Sequence, residues 1–114
     1  MRPNVLAQRC ASRAYMAMLA DKWSLLVLNA LGEGPRRNGE LMRAVEGISQ
    51  KMLTQTLRSL EALHIVERRD FQTIPPHVTY ALTPLGQSLR REAIALIRWV
   101  ESHVPELAGQ AERG

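Results

Sequence analysis

Apolar residues recur along this chain at helical spacing through most of its length, and the spacing changes over one short stretch. From Gln8 to Leu19, Tyr15, Met16, Met18 and Leu19 fit a first helix. Trp23, Leu26, Val27, Ala30 and Leu31 then repeat at i, i+3, i+4, i+7 and i+8, the stripe of a helix buried on one face. Asp21 is placed to cap this second helix, which runs from Lys22 to about Leu31. Gly32-Glu33-Gly34-Pro35 ends it, since glycine accepts a left-handed cap and proline cannot continue the ladder. A short third helix, about Gly39 to Val45, has Asn38 as its expected cap and turns Leu41, Met42 and Val45 inward. Glu46-Gly47 reads as a turn.

The fourth helix, about Gln50 to His64 with Ser49 as N-cap, divides its sides sharply. Leu53, Leu57, Leu60 and Leu63 form one stripe, while Gln50, Lys51, Thr54, Gln55 and Arg58 form another at i, i+1, i+4, i+5 and i+8. Glu61 is the one acid near that polar face. Beyond His64 the period shortens. Ile65 to Phe71 reads as a strand, and His77 to Leu82 as a second, in which Val78, Tyr80 and Leu82 alternate at period two. The proline-rich Gln72 to Pro76 between them is a loop. Thr83-Pro84 opens the last helix, with a cap residue followed by proline at the first position. That helix is expected to run to about Val104, with residues 105–114 a frayed tail.

These elements make a fold that is mainly α with a small β-ribbon, in the order of a winged helix-turn-helix. One domain spans residues 1–114, with its core at about 10–104. The last helix carries Leu85, Leu89, Ala93, Leu96, Ile97, Val100 and Val104 on one stripe, with Ile94 and Trp99 off it. A helix apolar on more than one face has to bury both, which one small domain does with difficulty. A second copy is the expected cover. The expected dimer interface joins Tyr15, Met18 and Leu19 of the first helix to Leu89, Leu96, Ile97, Val100 and Val104 of the last.

Charge gives this architecture a purpose. Of 15 basic residues only Lys22 and Lys51 are lysines, and the net charge is +4. Arginine's rigid fork of donors suits phosphates and guanine edges. From Arg36 to Arg69 seven basic residues face four acids. A major groove about 12 Å wide admits one helix, whose exposed side must offer hydrogen-bonding groups to bases. Gln50, Gln55 and Arg58 suit base edges, and Lys51 and Thr54 suit bases or phosphates. Arg36 and Arg37, ahead of the third helix, and Arg68 and Arg69, at the ribbon base, are placed for the backbone.

Three stretches then carry a resemblance. Lys22-Trp23-Ser24-Leu25-Leu26-Val27-Leu28, followed by Gly34-Pro35-Arg36-Arg37 and Glu40-Leu41, resembles the HxlR family of bacterial winged-helix regulators. So do Gly47-Ile48-Ser49-Gln50-Lys51-Met52-Leu53-Thr54-Gln55-Thr56-Leu57-Arg58 and Pro75-Pro76-His77-Val78-Thr79-Tyr80-Ala81-Leu82-Thr83-Pro84-Leu85-Gly86. The similarity runs in order from about Cys10 to Val104. It implies a homodimeric transcription factor of the MarR-like class that binds double-stranded DNA at an inverted repeat. The recognition residues it implies are Ser49, Gln50, Lys51, Thr54, Gln55 and Arg58, with wing contacts from the Phe71 to His77 loop. Two positions depart from the family pattern. Asn38-Gly39 stands where an aromatic residue is usual, and Cys10 is followed by Ala11 instead of proline.

Cys10 is the single cysteine. It excludes an intramolecular disulfide and suits a reducing compartment. In some relatives the equivalent cysteine senses oxidants, which makes Cys10 a candidate redox sensor, with Arg9 and Arg13 near enough in sequence to favour its thiolate. A small apolar role near an interface is the other reading of Cys10. A small-molecule or oxidant effector is compatible with this plan. No apolar run approaches the roughly 20 residues of a membrane span, and the amino terminus lacks the features of a signal peptide, so a cytoplasmic protein is expected.

Two other functional classes fit the sequence less well. An enzyme needs a nucleophile with a base, a carboxylate pair or a metal cluster. His64, His77 and His103 stand apart in the sequence, no metal-ligand motif or glycine-rich phosphate loop occurs, and no catalytic residue, cofactor or metal is expected. A winged helix can also serve as a protein-interaction module. Such surfaces usually centre on apolar or aromatic anchors, whereas the fourth helix offers long polar groups.

Overall fold

The computed structural model describes residues 12–113. Five helices and a two-stranded ribbon follow in order: α1 (Ser12–Leu19), α2 (Lys22–Ala30), α3 (Asn38–Ala44), α4 (Gln50–Ala62), β1 (Val66–Asp70), β2 (Val78–Leu82) and α5 (Pro84–Arg113). A single 3-10 turn, Leu31–Glu33, closes α2. This is the winged helix-turn-helix arrangement that the sequence predicts.

Local chemistry explains most of the boundaries. The Asp21 carboxylate accepts from the Trp23 N–H at 3.3 Å and the Ser24 hydroxyl at 2.9 Å, so it caps α2 as expected. Gly34 stands at φ 134 after the 3-10 turn and Gly47 at φ 86 before α4, both in backbone regions that favour glycine. Ser49 caps α4 by accepting the Met52 N–H at 3.0 Å.

The amino-terminal end of α3 differs from expectation. Arg37, not Asn38, is its N-cap, and Asn38 is already helical. The Glu40 carboxylate reaches back to accept the Arg37 N–H at 2.9 Å, satisfying a backbone donor that an Asn38 cap would have left one residue out of register.

Helix α2 is the hub, packed against α1, α3, α4 and α5. Val27 and Leu28 on α2 are fully buried together with Leu41, Leu53, Leu60 and Ile65. Each such side chain contributes about 1.5–3 kcal/mol relative to exposure. The buried side of α4 consists of Leu53, Leu57 and Leu60, joined by Thr56, and Leu63 is half-buried.

β1 and β2 pair antiparallel, with Val66 opposite Leu82 and Asp70 opposite Val78. The other edge of β2 is also occupied. Arg36 N–H donates to the Tyr80 carbonyl at 2.9 Å, and Tyr80 N–H donates to the Arg36 carbonyl at 2.8 Å. The segment between α2 and α3 therefore behaves as a one-residue third strand. The face of β2 turned inward is the one that carries Thr79 and Ala81, so burial does not follow the alternation of Val78, Tyr80 and Leu82. Thr79, Ala81 and Leu82 are buried, and Val78 and Tyr80 are half-buried.

The last helix is longer than the sequence reading. It continues through Pro105 to Arg113 instead of ending near Val104. Proline removes one backbone donor and crowds the carbonyl four residues back, which disturbs a helix locally without obliging it to stop.

Candidate nucleic-acid interface

Helix α4 is held at both ends. Ser49 closes the first turn, and the last turn ends in a left-handed residue, His64 at φ 59. The His64 N–H donates to the Glu61 carbonyl at 3.0 Å, and the Ile65 N–H donates to the Leu60 carbonyl at 2.9 Å. That is the paired capping geometry usually built on glycine, and it is completed by burial of both Leu60 and Ile65. From α1, the Tyr15 hydroxyl donates to the Leu63 carbonyl at 3.0 Å. Long-range packing thus sets the direction of the helix.

Opposite its buried leucines, α4 exposes Gln50, Lys51, Gln55 and Arg58, with Thr54 half-buried. The Gln50 amide donates to the Thr54 hydroxyl at 3.1 Å, so these two present one connected polar group. Ser49 is exposed, but its hydroxyl is committed to the cap. Its position at the start of the helix is therefore structural first.

The wing lies beside α3. An Arg37 terminal amine donates to the Pro76 carbonyl at 3.2 Å, which ties the start of α3 to the ribbon loop. In that loop the Gln72 N–H donates to the Asp70 carboxylate at 2.9 Å, and the Thr73 hydroxyl donates to the Pro75 carbonyl at 2.9 Å. The half-buried His77 packs on Phe71 with ring centroids 4.6 Å apart. Ile74, at the tip, is completely exposed.

The basic residues expected at the backbone differ in their freedom. Arg36 is turned inward: its Nε donates to the Ala30 carbonyl at 2.8 Å, and a terminal amine pairs with Glu33 at 3.0 Å. It braces the end of α2 and, through its backbone, the wing. Arg69 pairs with Glu67 on one side of β1, and Arg68 approaches Asp70 at 4.0 Å on the other. Those pairs are about half exposed, so they offset charge without holding the arginines rigidly. Lys51 and Arg58 are the exposed cations on α4 and stand in none of the ion pairs among the described residues.

The residues expected at a dimer interface separate into two groups. Met18 is 5% exposed and belongs to the chain's own core, with Tyr15, Leu19 and Leu89 packed against it. On α5, Leu96, Val100 and Val104 remain 48%, 43% and 44% exposed, and Ile97 is half-buried. Lys22, Leu25, Leu26 and Asn29 of α2 and Leu96, Ile97, Val100 and Glu101 of α5 line one groove, about 650 Å³ in volume. An open apolar groove therefore lies along α2 and α5, while Tyr15, Met18 and Leu19 of α1 pack on the core and Met16 of the same helix stays exposed. Cys10 lies outside the described residues.

Among the described residues no group of histidines, cysteines and acids could hold a metal, and no helix is long and apolar enough to cross a membrane. The three histidines do not converge. His64 ends α4, His77 packs on Phe71, and His103 stacks on Trp99. The bridge between Arg36 and Tyr80 is the element that sequence reasoning missed, since a one-residue pairing leaves no periodic signal.

Comparison with known proteins places this geometry. The family model described as HxlR-like helix-turn-helix matches residues 18–108. The HTH-type transcriptional regulator YtfH of Escherichia coli (strain K12) is 40% identical over 111 residues, covering 96% of this chain and 88% of that protein. Among solved structures, the transcriptional regulator ytfH from Salmonella typhimurium superimposes with a TM-score of 0.87 at 37% identity, covering 97% of this chain and 99% of that one. The redox regulator HypR in its reduced form gives a TM-score of 0.77 at 32% identity, covering 86% and 97% of the two chains. Sequence and fold agree that this is a non-enzymatic protein with a DNA-binding helix-turn-helix. The chain belongs to the HxlR-like helix-turn-helix family of transcriptional regulators.

Proposed function

We propose that the chain regulates transcription in the cytoplasm as a homodimer that binds double-stranded DNA at an inverted repeat, with the α4 of each subunit in a major groove. The observation that carries this reading is the exposed polar side of α4. Gln50, Lys51, Gln55 and Arg58 are exposed on a helix capped at both ends, and among the described residues none of the ion pairs involves Lys51 or Arg58. Gln50 with Thr54, Gln55 and Arg58 read base edges. Lys51, Arg37, Arg68 and Arg69 meet phosphates, and the loop from Phe71 to His77 lies along the minor groove. Arg36 serves this surface indirectly, by holding the wing to the start of α3. Support for the dimer comes from the exposed apolar residues Leu96 and Val100, which share a groove with Leu26, and from exposed Val104 one turn further along α5. A two-fold axis there sets the two α4 helices about one DNA turn, or a multiple of it, apart.

The test is recovery of bound duplexes from a random library, followed by affinity measurements on the selected site over a series of salt concentrations. Log affinity is expected to fall linearly with log salt, with a slope set by the number of phosphates contacted. Recovery of no symmetric motif, or affinity independent of salt, would sink the reading and favour a protein-interaction module.

A second reading adds redox control through Cys10. It is favoured by the likeness to HypR, which is described as a redox regulator and has been solved in reduced and oxidised forms. With one cysteine per chain, any disulfide has to join two subunits or take up a small thiol. Titration with diamide, reading operator affinity against modification of Cys10, tests it. Unchanged affinity at full modification rules it out.

A further inference from the structure

Away from the polar side of α4, a cavity of about 510 Å³ opens between α2, the carboxy-terminal part of α3 and the first turns of α5. Three arginines line it: Arg36, Arg43 and Arg90. Arg36 is already satisfied by Glu33 and the Ala30 carbonyl. Arg90 is not. Its Nε is buried with no hydrogen-bond partner, and it stands in none of the ion pairs among the described residues. Its guanidinium lies across Gly32, where a Cβ would collide with Nε and Cζ, so this glycine makes room for the charge.

A partly buried cation that no carboxylate among the described residues pairs with is costly, and such charges are normally paired. The cavity supplies space for an anion. Arg90 offers a planar fork suited to a carboxylate, with Arg43 on the same wall. Leu26, Ala44 and Val45 offer apolar contact to an organic body. Glu33 and Glu46 also line the cavity and oppose a second negative charge. The volume falls within the range of small-molecule sites and exceeds what an inorganic ion needs.

We infer that this cavity binds a small organic monocarboxylate, whose carboxylate meets the terminal amines of Arg90. This goes beyond DNA binding and does not depend on it. Since the cavity is walled by Arg36 and α3, an occupant touches the segment that pairs with the wing.

The test is an amide-resolved NMR titration of the DNA-free protein with sodium benzoate, sodium hexanoate and inorganic phosphate, together with thermal melts. Saturable shifts at Gly32, Ala30 and Arg43 are expected with at least one carboxylate, with a rise in melting temperature and no comparable response to phosphate. Arg90→Gln should weaken binding about tenfold or more, whereas replacing the exposed neighbour in Arg91→Gln should not. Should Arg90→Gln fail to fold, Arg90→Lys retains the charge, loses the fork and is expected to bind more weakly than wild type. Three results overturn the inference: no saturable response in the wild type, equal response to phosphate, or equal loss in Arg91→Gln. A dimer weakened by Arg90→Gln in a protein that takes up neither carboxylate would show that a second copy fills the site, and would also overturn it.

Discussion

Gly86, in the first turn of α5, lies directly against the backbone carbonyl of Ile65, the residue that completes the cap of α4. A Cβ at position 86 would collide with that oxygen. The contact is reinforced by Thr83, whose N–H donates to the Ile65 carbonyl at 3.1 Å and whose hydroxyl donates to the His64 carbonyl at 2.6 Å. The same Thr83 hydroxyl accepts the Gly86 N–H at 3.0 Å. The end of the polar-faced helix and the start of the long terminal helix are thereby a single joint.

This joint sets the sign of one substitution. Glycine to alanine inside a helix ordinarily stabilises by about 1 kcal/mol. At Gly86 the backbone carbonyl cannot yield as a flexible side chain would, so Gly86→Ala is expected to destabilise by about 1–3 kcal/mol. Urea denaturation of the two proteins measures it, and a gain in stability would show that α5 is free to move off Ile65.

Ser49, the N-cap of α4, and Arg58, within the helix, should behave oppositely. Ser49→Ala removes the cap and is expected to cost about 0.5–2 kcal/mol of stability. Arg58→Ala removes an exposed side chain and should leave the melting temperature nearly unchanged while weakening specific DNA binding by about 1–3 kcal/mol. Melts and anisotropy titrations on the same preparations separate the two effects.

Arg36 and Arg37 are adjacent yet differently engaged. Arg36→Ala strips the Ala30 carbonyl of a charged donor and is expected to lower stability by about 1.5–3 kcal/mol. Arg37→Ala should lower it less and should reduce the salt dependence of DNA affinity by about one phosphate contact. Equal losses of stability in the two variants would contradict the inward assignment of Arg36.

Tyr15 reaches from α1 to the carbonyl of Leu63. Removing the hydroxyl in Tyr15→Phe is expected to cost about 0.5–1.5 kcal/mol, with the aromatic packing retained. Faster amide exchange at the last turn of α4 would locate the loss, and unchanged exchange there would argue against the coupling.

The exposed apolar strip on α5 yields the test of assembly. Val100→Glu places a charge at a position 43% exposed in the single chain. A monomer has little reason to be destabilised by it, whereas a dimer closing over α2 and α5 should dissociate. Light scattering is expected to give twice the chain mass for the wild type and the chain mass for the variant. Equal masses would move the interface elsewhere.

The periodic elements were legible in the sequence because their cause is local or repetitive. The leucine stripe of α4, the caps at Asp21 and Ser49, and the proline-rich interruption between the strands each follow from spacing or from one residue's backbone preference, whereas on α2 the expected stripe included Leu26, which is exposed, and passed over Leu28, which is fully buried. The polar side of α4 was legible for the same reason, since a helix converts sequence interval directly into a face. Features that depend on two distant segments left no such trace. The pairing of Arg36 with Tyr80 is one residue long, and the turn of Arg36 toward Ala30 depends on how α2 ends. The sorting of Met18 to the core and Val100 to the surface was equally hidden, because an apolar side chain reads the same whichever partner covers it. Chain proximity specifies which residues share a helix face; which faces then meet is a matter of packing, and it was settled here by the close fit of α5 and the wing around α2 and the end of α4.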